Sequence, residues 1–170
     1  RLFANGPSPV PLPKTRAVPQ RNELLGRVLE CYVHGLREST QAQQYLEKRG
    51  LGSRELWEVF RVGFADGRLL KKLPTQGPVR QAFTDLGILT QTGKEHFRGC
   101  VVIPLEHPDE GLVGFYGRKI DPADPVPHLY LPGPKSGVLH WQCVKQAKRV
   151  WLAESVLDAL SLWVAGLRDV

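Results

Sequence analysis

The chain has 170 residues, 42% of them apolar and 24% charged, the make-up of one globular domain or of two small ones sharing an interface. No apolar run approaches the ~20 residues that a membrane-spanning helix needs, and the opening "RLFANGPSPVPLPKTR" is too poor in apolar residues and too rich in Pro for a secretion signal. Lys and Arg number 23 against 17 Asp and Glu, a net charge of +6 and a pI near 9.4, which suits a polyanionic partner and equally a solvated basic surface.

Residues 1–20 carry Pro7, Pro9, Pro11, Pro13 and Pro19 with little periodic apolar content, so they read as an extended linker or arm. From Arg21 the texture changes. Leu24, Leu25, Val28, Leu29, Tyr32, Val33 and Leu36 recur at three- and four-residue spacing, the mark of an amphipathic helix. A second helix fits "TQAQQYLEKR" and closes at Gly50. A third opens at Ser53 as N-cap and buries Leu56, Trp57 and Phe60. A fourth opens near Pro78 and ends at Gly87, so that residues 21–88 form a helical part.

From Thr90 onward the pattern is β. "CVVIPL", the turn "EHPDEG" and "LVGFYGRKI" read as a hairpin, "DPADPVP" as a loop and "HLYLPG" as a further short strand, giving a β-rich part over residues 89–147. "KRVWLA" reads as a strand buried on both faces, with a helix following from Ser155 to Leu167. A strand feeding straight into a helix is how α/β units begin, and such sheets bind ligands at the carboxyl ends of their strands. The fold class is therefore α+β, a helical subdomain and a small mixed β subdomain leading into an α/β unit over residues 148–170. With no Met, and with "GLRDV" stopping directly after a helical pattern, the chain reads as an excised piece of a longer protein.

Glu154 sits where that strand meets its helix, and Asp158 follows four residues later, about one turn on and facing the same way. Two such carboxylates suit Mg²⁺, which takes one or two of them and completes its octahedron with water and phosphate oxygens. Acids in a first helical turn are also favoured by the helix dipole alone, by ~0.3–1 kcal/mol each, and the spacing leaves both readings open. Arg98, Arg118, Lys119 and Lys135 are candidate phosphate contacts, with Gly93, Gly99, Gly117, Gly133 and Gly137 allowing close backbone approach. Taken singly, each is equally a surface charge. Tyr45, Trp57, Phe60, Phe64 and Phe83 fall on helical core faces and read as packing. Tyr116, Tyr130 and Trp141 read as packing too, with base stacking as the alternative. Cys31, Cys100 and Cys143 are far apart, and five His residues are dispersed, so no zinc spacing emerges. An odd thiol count without a secretion signal points to reduced cysteines and a cytoplasmic setting.

The order of segments is more specific than any one of them. "AQQYLEKRGL", "RVGFADG", "DLGIL", "HFRGCVVIPL", "GLVGFYGRKI", "HLYLPGPKSGVLH" and "VWLAESVLDAL" follow one another as in the catalytic core of bacterial-type DNA primases, which residues 21–170 resemble. The last of these resembles the opening of that family's Toprim fold. The resemblance implies RNA primer synthesis on single-stranded DNA from nucleoside triphosphates, with Mg²⁺ or Mn²⁺ and a replicative helicase as partner. Zinc is implied only if a zinc-binding module lies upstream. By the same resemblance, Glu154 matches the metal-holding Toprim Glu and Asp158 the acid one turn on, while Arg98 and Arg118 match basic residues of the cleft.

Three positions depart from the family pattern: Cys100 stands for a second Arg, His128 for a Lys and Trp141 for a later Lys. Fewer cations imply weaker phosphate binding, with His128 and Lys135 left as the remaining nucleotide contacts of that segment. The family's Asp-x-Asp pair is not found in these residues, so this piece alone is expected not to catalyse. A non-catalytic single-stranded DNA-binding module is the rival reading, and a Toprim nuclease a weaker third.

Overall fold

The computed structural model describes residues 20–135 and 137–170, and the Pro-rich segment 1–19 lies outside the described residues. In chain order the elements are α1 (Arg21–Glu38), α2 (Thr40–Lys48), α3 (Arg54–Val59), β1 (Gly63–Phe64), α4 (Arg68–Lys72), α5 (Pro78–Asp85), β2 (Cys100–His107), β3 (Gly111–Lys119), β4 (His128–Tyr130), α6 (Trp141–Val144) and α7 (Val156–Val164). The helix starts follow the caps expected from the sequence. Ser39 Oγ accepts from the Ala42 N–H at 3.2 Å to open α2, and Ser53 Oγ accepts from the Leu56 N–H at 3.3 Å to open α3. Gly50, after α2, takes a left-handed φ of +71° that few other residues tolerate.

The four strands form one antiparallel sheet in the order β1-β2-β3-β4. Because side chains alternate along a strand, the sheet has two inner faces. Val101, Ile103 and Tyr116, with Phe64, pack against Leu46, Leu56 and Phe60 and against Leu160 and Trp163 of α7. Cys100, Val102 and Phe115 face the other way, under Leu25, Val28, Leu29 and Tyr32 of α1 together with Phe83 and Phe97. Tyr32 sits edge-on to both Phe97 and Phe115 at 6.5 and 6.1 Å between centroids. The sheet is thus a partition between two cores.

Helix α1 lies directly on β1. A Cβ on Gly63 would stand 2.6 Å from Tyr32 Cβ and 2.9 Å from the Val33 nitrogen, and one on Gly35 would run into the Phe64 carbonyl oxygen. Only glycine lets a helix backbone and a strand backbone approach this closely.

Two expectations are revised. β1 lies inside the stretch read as purely helical, and it joins the sheet through Gly63↔Val102 and Phe64↔Val101, so the helical and β-rich parts share their cores. "KRVWLA" does not form a doubly buried strand. It runs without regular structure and is exposed, Leu152 to 92%. The physical reason is the lack of strand partners. Among the described residues its only backbone hydrogen bond is the Trp151 N–H to the Asp169 carbonyl, at 2.8 Å. Helix α7 does follow, over Val156–Val164, docking Trp163 edge-on to Phe60 at 5.5 Å. Among the described residues no helix is long and apolar enough to cross a membrane.

Candidate nucleic-acid interface

Strand β3 ends in two adjacent cations, and alternation sends them to opposite sides of the sheet. Lys119 pairs with Cys100 in register and Arg118 with Val101 on one side and His128 on the other. Of the candidate phosphate contacts, Arg98 and Lys119 therefore lie apart from Arg118.

On the α2 side, Arg118 donates from Nε to the Tyr45 hydroxyl at 3.3 Å and from a terminal nitrogen to His128 Nε2. His128 Nδ1 is 2.8 Å from the Tyr116 hydroxyl. Burial pushes the Tyr116 phenol up to about 12, so it stays protonated. Arg49 lies over the Tyr45 ring at 4.9 Å, and Lys135 over the Tyr130 ring at 4.4 Å. Tyr130 in turn sits edge-on to Tyr116 at 5.4 Å. The result is a run of cations and aromatic rings, Arg49, Tyr45, Arg118, Tyr116, Tyr130 and Lys135. Arg49, Arg118 and Lys135 have no carboxylate partner among the described residues, so their charge remains available.

On the other side, Arg98 and Lys119 line a hollow of about 550 Å³ with Glu38, Asp66, Asp121 and Asp124. Its acids are largely engaged. Arg68 pairs with Asp66 at 2.5 Å and Glu38 at 2.7 Å, and Lys119 with Asp124 at 3.2 Å. The Arg68 hydrogen bond holds the Glu38 carboxyl below the usual carboxylate range. Arg98 lies across Gly67, whose φ is +88°, and donates to the Asp66 carbonyl. No carboxylate among the described residues pairs with it.

Glu154 and Asp158 differ in their surroundings. Ser155 caps α7: its Oγ accepts from the Asp158 N–H at 3.2 Å and donates to Asp158 Oδ2 at 2.7 Å. Ser155 is thus the N-cap, and its hydroxyl also engages the Asp158 carboxylate locally. Glu154 is exposed and its carboxylate has no partner among the described residues. It lines a hollow of about 340 Å³ with Tyr130, Trp141, Trp151 and Val170, so Tyr130 is a wall shared with the cationic run. Both acids offer the oxygen donors Mg²⁺ takes, but no group of three metal-ligating side chains occurs among the described residues.

Cys100 is buried, its thiol pushed up to about 12 by burial, and supplies neither charge nor nucleophile. Tyr45 reads as packing in the sequence, and Arg49 carries no assignment there. The four-residue step from Tyr45 to Arg49, the C-cap of α2, is the available signal, since it stacks the two side chains on one face.

The fold is a two-core α+β frame, and its surface sets guanidinium groups that have no carboxylate partner among the described residues beside edge-packed aromatic rings. Residues 31–140 match the family described as the DNA primase catalytic core, N-terminal domain, and the chain belongs to that family. The DNA primase of Haemophilus influenzae is 27% identical over 158 residues, covering 82% of this chain and 26% of that protein. The DNA primase of Escherichia coli K12 is 33% identical over 109 residues, 60% of this chain and 18% of that one. Among solved structures, a DnaG catalytic core superposes with a TM-score of 0.74 at 27% identity, covering 86% of this chain and 52% of the other. A DnaG primase catalytic domain bound to single-stranded DNA gives 0.71 at 27% identity, covering 85% and 52%. The chain thus spans about a quarter of the Haemophilus relative's length and about half of those solved chains.

Proposed function

We propose that the chain is the N-terminal part of the core of a primase that makes RNA primers on single-stranded DNA, and that the Arg118 side of the sheet carries nucleic-acid phosphates. The observation that supports this most is Arg118 itself. Its guanidinium is held by Tyr45 and His128, both uncharged partners, and so keeps its full charge beside Arg49 and Lys135. The solved DnaG primase catalytic domain bound to single-stranded DNA supports the choice of polymer. Arg98 and Lys119, on the far side, are a second position for the phosphates of a nucleoside triphosphate. A replicative helicase is the proposed protein partner.

Glu154 is the carboxylate assigned to a divalent ion, Mg²⁺ or Mn²⁺, with Asp158 a second donor once released from Ser155. Such an ion, when bound, neutralises the charge of the transferring phosphates. The chain's own residues act by position: Arg118 and Arg98 screen phosphate charge, and the rings of Tyr45 and Tyr130 hold Arg49 and Lys135 in place.

A salt series tests the surface. Anisotropy with a labelled oligothymidylate should show affinity falling steeply as salt rises, with Arg118→Ala lowering the log–log slope by about one. Salt-independent binding, or none, rejects the surface. In the longer protein, Glu154→Ala should abolish metal-dependent primer synthesis, and unchanged synthesis rejects that assignment. The engagement of Asp158 by the Ser155 cap favours one rival, a binding module without catalysis. Primer synthesis by the longer protein excludes it.

A further inference from the structure

The two ring nitrogens of His128 have fixed partners, and the partners dictate its state. An arginine can only donate, so the nitrogen facing Arg118, Nε2, must be the unprotonated acceptor. The proton then sits on Nδ1, which donates to the Tyr116 hydroxyl 2.8 Å away. An imidazolium would carry a proton on Nε2 and direct it at a guanidinium.

We propose that His128 is a positioning residue, a neutral Nδ1–H imidazole that fixes the Arg118 guanidinium against β4 and leaves its remaining N–H groups for a phosphate. This rests on the reading of the Arg118 side as the nucleic-acid surface and deepens it. It differs from a direct role in which His128 is itself the phosphate-binding cation.

The surroundings agree. The charged groups acting on His128 are Arg118 on β3 and Arg49 at the C-cap of α2; Tyr116 touches it, while Tyr45 borders Arg118 and Tyr130 borders Tyr116. Burial, then Arg118, then Arg49 lower its pKa below the ordinary 6.5, so it is neutral near pH 7. As the pH falls through that lowered value, Nε2 gains a proton, the acceptor is lost and two cations face each other. Arg118 is then released. The arrangement is therefore intact above the lowered pKa and lost below it.

Two measurements decide it. Long-range ¹⁵N–¹H spectra of the free chain should assign His128 as the Nδ1–H tautomer with a titration midpoint below 6.5; an Nε2–H tautomer or a midpoint at or above that value overturns the proposal. In oligothymidylate binding at about pH 7.5, His128→Ala should weaken affinity about tenfold, the size of one charge-assisted hydrogen bond. Arg118→Ala should do the same, and the double variant should lose no more than either. His128→Gln, which accepts and donates but does not titrate, should restore what Ala loses. It should also hold its affinity at about pH 5.5, where the wild type weakens. Additive losses, no rescue by Gln, or tighter wild-type binding at the lower pH would establish the direct role and overturn this one. If Arg118→Ala alone leaves binding unchanged, the proposed surface fails, while the spectra still judge the tautomer.

Discussion

Replacing Gly63 by Ala adds one methyl group at the point where α1 and β1 touch. That carbon would stand 2.6 Å from Tyr32 Cβ, 2.7 Å from the Tyr32 carbonyl carbon and 2.9 Å from the Val33 nitrogen. Two of the three are helix backbone, which no rotamer change can clear. An ordinary carbon–carbon contact needs ~3.5–4.0 Å, so α1 must retreat by about 1 Å along its contact with the sheet. Overpacking of this kind costs about 1–3 kcal/mol, occasionally more, and the rigid obstacle puts Gly63→Ala at about 3 kcal/mol. For a chain of this length that lowers Tm by roughly 6–12 °C. Urea unfolding followed by tryptophan fluorescence gives the free energy directly. Gly35→Ala, blocked by the Phe64 carbonyl on the same seam, should cost a similar amount. Because one retreat of α1 relieves both clashes, the double variant should lose clearly less than the sum. A loss under about 0.5 kcal/mol for Gly63→Ala, or full additivity of the pair, refutes this account of the seam.

Glu95 is 5% exposed, and neither of its carboxyl oxygens has a hydrogen-bond partner among the described residues. Burial raises its pKa, while the nearby Tyr32 phenol and Arg98 favour the charged form without cancelling the effect. A carboxyl raised in the folded state stabilises the fold below its unfolded pKa and loses that contribution as pH rises through the folded one. Glu95→Gln should therefore raise stability by about 1 kcal/mol near neutral pH, the cost of the buried charge it removes. The gap should close as the pH is lowered to about 4, and an equal gap at both pH values contradicts the assignment. Ser155→Ala should cost about 1 kcal/mol by removing the α7 cap, measured by urea unfolding, and no loss would mean the cap is idle. Arg61, paired with Glu30 at 2.6 Å on the surface, is the control cation. Arg61→Ala should leave the salt slope of DNA binding unchanged, whereas Arg118→Ala lowers it by about one; equal effects would point to diffuse charge rather than a site.

Periodicity made α1 and the β2–β3 hairpin legible, because each repeats its apolar pattern over enough residues to declare a period. Two-residue β1 is too short to show one. Its pairing depends on Gly63 and Gly35, whose closeness exists only in three dimensions. "KRVWLA" misled for the opposite reason. Its β-branched and aromatic content is that of a buried strand, but a strand exists only beside a partner, and among the described residues Asp169 alone offers one. At the site, residue types were readable and partners were not. Arg118 and Lys119 are adjacent in sequence, and alternation alone separates them, but nothing local shows that Tyr45 and His128 receive Arg118 and Asp124 receives Lys119. The Ser155-x-x-Asp158 spacing did carry its capping signature in plain view. A buried Glu95 carried none, since charged side chains read as surface by default.

Consecutive cations on opposite sides of a strand are divided by the thickness of a single sheet, and each answers to a different set of neighbours: Tyr45 and His128 for Arg118, Asp124 for Lys119. A substitution at one therefore leaves the contacts of the other intact, so the two faces can be altered one at a time.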